Sequence, residues 1–259
     1  MSTYAIGDIH GHNDSLLLIL NEILPLKKDD LLVFLGDYID RGEDSSKVID
    51  TLCSISYEYP DQAVFLRGNH EWLMLGALGL EDFDNHIPDP KRIWMINGGH
   101  SFIDSYERLL GKVLDLGNLK ESIPKEHLGF LLSTEAYHEN DEYIFVHGGC
   151  DPTRPLEEQS RFDLMWNRSL YNFCAQNIGD NFEWEKPIIC GHNYEGPVIN
   201  PKFMMIDASA SGRVMCLELE TMDAVFADHD ATEVHRENLK PATEKDITNN
   251  RFQNAGFRR

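Results

Sequence analysis

Five stretches of the chain set metal-binding and proton-carrying side chains beside glycine. They are Gly7-Asp8-Ile9-His10-Gly11, Gly36-Asp37-Tyr38-Ile39-Asp40-Arg41-Gly42, Arg67-Gly68-Asn69-His70-Glu71, His147-Gly148-Gly149 and Gly191-His192-Asn193. Aspartate and asparagine offer hard oxygens and histidine a neutral ring nitrogen, a mixture that suits first-row divalent ions. It does not suit a structural zinc site, which favours thiolates in a closed tetrahedron. The candidate ligands are Asp8, His10, Asp37, Asn69, His147 and His192. That set is too large for one ion that must keep a position open, and sufficient for two that share a bridging carboxylate. Residues i and i+2 of an extended segment point to the same side, so Asp8 and His10 can reach one ion together. Arg41 adds a planar fork suited to phosphate.

Such groups act together only if something rigid brings them to one place. Each stretch follows a short apolar run, at residues 4–6, 31–35, 63–66, 143–146 and 187–190. Runs of that length between polar residues read as buried strands. After the first, Asn13 is a good helix cap, and Leu16, Leu17, Leu20, Ile23 and Leu24 repeat at helical spacing up to Pro25. Residues 45–56 read as the next helix, with Val48, Ile49 and Leu52 as its apolar face. Strand, polar stretch and helix thus repeat in succession, and in a parallel sheet such strand ends converge on one crevice. Helices expected at 71–80, between 94 and 110, and over 122–134 form a cap beside the sheet, with an irregular acidic loop at 81–92. A helix over 162–175 carries Trp166 and Arg168. Residues 203–206, 214–219 and 224–226 read as an antiparallel meander in a second sheet.

The chain has 259 residues, 42% of them hydrophobic, and a formal net charge of −21. That charge argues against nucleic acid or an anionic membrane as a partner. It also repels polyanionic substrates unless bound metals and arginines reverse the local potential. The 5 cysteines include no CxxC pair and read as reduced thiols of a cytoplasmic protein. No basic-then-apolar leader is seen, nor any apolar run near the roughly 20 residues that span a bilayer. The expected organisation is a monomer with one catalytic domain over 1–228, including a helical cap at about 72–135. A cation-bearing, partly disordered tail would follow over 229–259.

In order and in kind, these stretches resemble the PPP-type phosphoprotein phosphatases within the calcineurin-like metallophosphoesterases, closest to the short bacterial and phage members. The resemblance spans about residues 4–226, and it extends to Asn97-Gly98-Gly99 with Ser105-Tyr106 and to Leu164-Met165-Trp166-Asn167-Arg168. It implies an α/β (α+β) fold in which two mixed β-sheets pack as a sandwich flanked by helices, with a small helical cap. It implies two divalent metal ions, manganese being expected and iron or zinc the alternatives. Asp8 and His10 would bind the first, Asp37 would bridge, and Asn69, His147 and His192 would complete the second. His70 would be the general acid, oriented by Asp40, while Arg41 and Arg168 clamp the phosphate next to Asn69. The chemistry is coherent on its own terms. Two ions about 3.5–4 Å apart lower the pKa of a shared water, and the resulting hydroxide attacks phosphorus in line. His70 titrates near neutrality, and such an acid is worth about 10²–10⁴ in rate.

The sequence departs from bacterial relatives at Asn193, where threonine is common, and at Ala208-Ser209-Ala210, where Thr-Gly-Ala is. Both are expected to touch only the rim of the cleft. Arg67 reads as an ion-pairing flank or a substrate contact, His12 as a bystander, Glu71 as a supporting charge, and the tryptophans as core. The expected activity is hydrolysis of phosphomonoesters, on phosphoserine or phosphothreonine of proteins, with phosphotyrosine or small phosphoesters as further substrates. The alternative is a hydrolase of dinucleoside polyphosphates such as diadenosine tetraphosphate. That branch usually lacks the second aspartate of the second stretch and has GNHD, so Asp40 and Glu71 favour the phosphatase. An inactive scaffold that only binds phosphorylated partners is disfavoured, because every inferred metal and acid position is filled.

Overall fold

Alternation along the strands decides how the layers stack. The computed structural model describes residues 1–82, 87–151, 154–168, 185–193, 197–200, 202–230 and 232–239. In it β1 (Thr3–Ile6), β2 (Leu31–Phe34) and β3 (Ala63–Phe65) run parallel, joined by α1 (Asn13–Ile23) and α2 (Ser45–Glu58). The chain then turns helical through α3 (Asn69–Ala77), α4 (Pro90–Trp94), a kinked connection at Met95–Gly99 with Gly98 out of helical geometry, α5 (His100–Leu110), α6 (Leu119–Ser122) and α7 (Lys125–Ser133). The stretch expected as loop to residue 92 contains the start of α4. Asp89 accepts from the amide of Arg92 (3.1 Å) and proline opens the helix, a start signal stronger than the local acidity.

The second sheet holds β4 (Tyr137–Glu139), β5 (Ile144–Val146), β6 (Ile188–Cys190), β7 (Val198–Asn200) and β8 (Phe203–Met205), in the order β4-β5-β6-β8-β7. α8 (Arg161–Trp166) precedes β6 and ends at Asn167; residues 169–175 of the helix expected there lie outside the described residues. β9 (Arg213–Glu218), β10 (Asp223–Asp228) and β11 (His235–Asn238) return to the first sheet, whose order is β11-β10-β9-β1-β2-β3. The expected meander is therefore split. β8 pairs in parallel with β6, whereas β9 pairs antiparallel with β1, placing Cys216 opposite Ile6. An apolar alternation marks a strand but not the sheet it joins. β11 falls in the segment expected as tail. It has no apolar residue and is held by pairing with β10 and by the Arg236–Glu22 ion pair. Residues 240–259 lie outside the described residues.

Ile6, Leu32, Phe34, Val214 and Cys216 face one way and share a core with α1, α2, α3, α5 and α7. Their neighbours Ala5, Val33, Leu35, Met215 and Leu217 face the other way and meet Phe145, Ile189 and Met204 of the second sheet. The outer face of that sheet, with Ile144, Val146, Ile188 and Phe203, packs on Leu156 and Leu164. The period of two along each strand thus builds a sandwich flanked by helices, each fully buried large side chain contributing about 1.5–3 kcal/mol. Cys53 and Cys216 are free thiols, Cys150 and Cys190 are buried, and Cys174 lies outside the described residues. No helix among the described residues is long and apolar enough to cross a membrane.

Candidate metal centre and active site

The loops that leave β1, β2, β3, β5 and β6 meet at one place, and their backbones are bent to do so. Six described non-glycine residues have positive φ, among them His10 (46°), Asp37 (53°), Asp40 (71°), Arg41 (64°) and His192 (65°). Left-handed backbone costs such residues of order 1–3 kcal/mol each and persists only where the surroundings over-determine it. Here the loops brace one another. The amides of Ile9 and His10 both donate to the carbonyl of Asp37 (3.0 and 2.9 Å), and that of Gly42 donates to the carbonyl of His10 (2.9 Å).

Glu71 fixes the second loop from beneath. It is fully buried in the first turn of α3, and its carboxylate accepts the amides of Asp37 (2.9 Å), Tyr38 (2.8 Å), Ile39 (3.2 Å) and Gly68 (2.9 Å). Gly68 packs so tightly on Asp37 and Glu71 that no side chain fits there. Glu71 therefore holds backbone and does not face substrate, so its identity cannot select a substrate by contact. Glu71→Gln would turn an NH₂ group toward two donors. We expect it to lower stability by about 3 kcal/mol, read as a fall of about 10 °C in thermal melting.

Asp8, His10, Asp37, Asn69, His147 and His192 are all brought together, as expected. The Nδ1 atoms of His10 and His147 donate to the carbonyls of Ile39 (3.0 Å) and Leu35 (2.7 Å), which fixes both tautomers and leaves Nε2 as a lone-pair donor. His10 Nε2 lies 3.8 Å from Asp8 Oδ2 and 3.6 Å from Asp37 Oδ2. His147 Nε2 lies 3.3 Å from Asp37 Oδ1 and 3.0 Å from Asn69 Oδ1. The backbone amide of His192 donates to Asp8 Oδ1 (3.0 Å), tying the second sheet to the first. Two sets, His10 with Asp37 and His70, and Asp37 with His147 and His192, each have ligand atoms within 4.8 Å of one another and share Asp37. Lone pairs that face each other at such distances call for a cation between them. The donor set of carboxylate, amide oxygen and imidazole fits a pair of divalent ions.

The electrostatics carry the same message. Burial works against charge on His147, but Asp37 and Asp8 outweigh it and push its pKa up to about 9. Burial also opposes charge on Asp37, yet His147 and His70 hold its carboxyl well below the usual range. Burial together with Asp207 and Asp37 drives Asp8 well above it. A buried surplus of negative charge of this kind is what divalent cations neutralise.

His70 differs from the other imidazoles. Its Nδ1 meets Asp40 Oδ2 at 2.7 Å instead of a backbone carbonyl, and its amide donates to Asp37 Oδ1 (3.0 Å). Burial would lower its pKa, but Asp37 and the hydrogen bond to Asp40 raise it. Arg41 Nη1 and Nη2 reach His10 Nε2 (2.7 Å) and His70 Nε2 (3.2 Å), and Arg168 Nε reaches His192 Nε2 (3.1 Å). Both arginines are exposed at the rim.

Arg67 makes the expected ion pair, with Glu81 at 2.5 Å, but inside the protein and not on its surface. It is buried and grips Thr134, Leu131, Leu132 and Glu81, which locks β3 to the end of α7. Asp207 belongs to the site's electrostatics and was missed, although it repeats the pattern of an acid just past an apolar strand, β8. Trp94, read as core, is core on one side only. Its indole Nε1 donates to both oxygens of Asp40 (3.1 and 2.9 Å). His12 stacks on His229 with ring centroids 3.3 Å apart, beside the site and outside it.

Comparison with known proteins agrees with this geometry. The model of the calcineurin-like phosphoesterase family matches residues 1–196. The chain is 28% identical over 167 residues to serine/threonine-protein phosphatase 2 of Escherichia coli (strain K12), covering 63% of this chain and 66% of that protein. It is 33% identical over 104 residues to the symmetrical bis(5'-nucleosyl)-tetraphosphatase of Buchnera aphidicola, covering 38% of this chain and 36% of that protein. A solved structure described provisionally as a diadenosine tetraphosphatase superposes with a TM-score of 0.59 at 18% identity, over 87% of this chain and 92% of that one. The last likeness is one of fold.

Proposed function

The chain belongs to the calcineurin-like phosphoesterase family, and on that footing we propose that it is a metal-dependent phosphomonoester hydrolase acting mainly on phosphoserine and phosphothreonine of proteins. The observation that carries this reading is the buried Asp40–His70 pair, 2.7 Å apart, with Arg41 reaching the far nitrogen of the same imidazole. Alkyl phosphates have poor leaving groups, and a positioned proton donor answers that need.

Asp8, His10, Asp37, Asn69, His147 and His192 would hold two divalent ions. When bound, such ions polarise the phosphoryl oxygens and lower the pKa of water. The remaining work falls to the protein's own groups. Water oxygen bonds to phosphorus and gives one of its protons to solvent, from which His70 is afterwards reprotonated, while the ester P–O bond breaks and its electron pair leaves on the alkoxide. His70 gives its Nε2 proton to the alkoxide, while its Nδ1 proton stays on the Asp40 side. Asp40 keeps the ring in that tautomer and favours its charged form. Arg41 and Arg168 turn from the imidazoles they touch to the phosphoryl oxygens, where charge builds up. Their exposure lets a side chain displayed by a protein reach them.

The reading is tested by manganese-supported hydrolysis of a phosphoserine peptide, a phosphotyrosine peptide and diadenosine tetraphosphate side by side. Strong turnover of the peptides, lost on chelation and regained with manganese, is the expected outcome. Preference for the dinucleotide would overturn it in favour of the second reading, which the similarity to the Buchnera aphidicola enzyme supports.

A further inference from the structure

The helical segment beside the sheet reaches into the site at one point. Between α4 and α5 the chain makes a sharp turn at Gly98, whose φ of 109° interrupts the helix. Trp94, wholly buried, enters that turn, and its indole N–H spans both oxygens of Asp40 at 3.1 and 2.9 Å. The ring has no freedom to move away, because Gly99 packs flat against it; a Cβ there would lie 2.8 Å from the indole carbons. Gly98, at φ 109°, lies against the backbone of Arg41, where a Cβ would stand 3.0 Å from the Arg41 nitrogen. Ser101 Oγ donates to the Arg41 carbonyl (3.1 Å), and Asn97 Nδ2 donates to the Ile93 carbonyl (2.8 Å). Residues 94–101 therefore grip Asp40 and Arg41, which lie far from them in sequence.

The core explains the buried ring of Trp94 but not the aim of its N–H. Asp40 Oδ2 takes two donors, His70 Nδ1 and Trp94 Nε1, and Oδ1 takes the other half of the indole hydrogen bond. With His70 alone, the carboxylate could rotate about its Cβ–Cγ bond and present either oxygen at varying angles. With the indole spanning its edge, the plane is fixed and Oδ2 stays on the axis of the His70 Nδ1–H bond. We propose that Trp94 is a positioning residue for proton donation, so that the kinked segment between α4 and α5 is part of the acid machinery. This rests on the reading of His70 as general acid.

The test uses the loaded full-length protein and a series of leaving groups: 2,4-dinitrophenyl phosphate, phenyl phosphate and a phosphoserine peptide. Trp94→Phe removes the N–H and keeps an aromatic ring. Replacement by benzothienylalanine removes it while keeping the indole shape, which covers the case in which phenylalanine disturbs folding. Either change is expected to lower kcat on the phosphoserine peptide about tenfold, as loss of a partner behind a working group does, and to leave dinitrophenyl phosphate nearly untouched, because that leaving group needs no proton. In an Asp40→Asn background the same change should cost little further, the non-additivity of groups that act through one another. Equal losses across the series, or full additivity with Asp40→Asn, would make Trp94 structural only. His70→Ala, run alongside, separates the two ideas. If it too ignores the leaving group, the acid assignment fails; if it responds and the Trp94 variants do not, this inference alone fails.

Discussion

His70→Ala is expected to keep its bound metal and to lose about 10²–10⁴ of its rate on a phosphoserine peptide. The size follows from the leaving group. A serine alkoxide is a strong base, and without a proton donor the P–O bond must break with a full charge on oxygen. His70 is held for that task, wholly buried at its ring and fixed through Nδ1 by Asp40 at 2.7 Å. Alanine leaves Asp8, His10, Asp37, Asn69, His147 and His192 untouched, so ion content measured by elemental analysis should stay near the parent value. The loss should shrink on aryl phosphates, whose leaving groups are weaker bases. Unchanged kcat on both the peptide and an aryl phosphate would remove His70 from the mechanism.

Asp37→Asn should do the opposite: empty the centre and abolish turnover of every substrate alike. Asp37 presents Oδ2 toward His10 (3.6 Å) and Oδ1 toward His147 (3.3 Å), while Oδ1 also accepts the amide of His70 (3.0 Å). Both oxygens are in use on different sides, and only a carboxylate can supply two. An asparagine must turn an NH₂ group either toward the imidazole lone pairs or toward the His70 amide, and it withdraws a negative charge from the shared position. Loss of about 10³-fold or more in kcat/KM is expected, the several kcal/mol that bound ions contribute to the transition state. Ion content and turnover should fall together. Two tightly held ions in this variant would show that Asp37 does not bridge.

How much of this was legible beforehand varies with the kind of signal. β1, β2 and β3 announce themselves as apolar runs ending in Asp, His or Asn beside glycine, and the parallel pairing follows from the helices between them. β4 and β7 span three residues each, too short for any period to show. β11 has none at all, because its cohesion is backbone pairing. β9 and β10 were visible as strands but assigned to the wrong sheet, since both sheets offer an apolar face to the same inner core. The candidate ligands were legible because side chain and loop chemistry coincide in one stretch. Trp94 was not, because a hydrogen bond between residues 54 positions apart leaves no local pattern. Glu71 reads in the sequence both as a supporting charge and as a marker of substrate class; the structure bears out the first, since its carboxylate holds four backbone amides.

The left-handed backbone at His10, Asp37, Asp40, Arg41 and His192 sets stability against chemistry at five positions. Mutation toward glycine at any of these positions would relieve strain, and a lineage under pressure for stability alone would drift that way. This chain carries imidazoles, carboxylates and a guanidinium where the backbone least welcomes a side chain. A stabilised variant obtained by consensus or by random screening should therefore be inspected first at these five codons, where a gain in melting temperature is most apt to be a loss of chemistry.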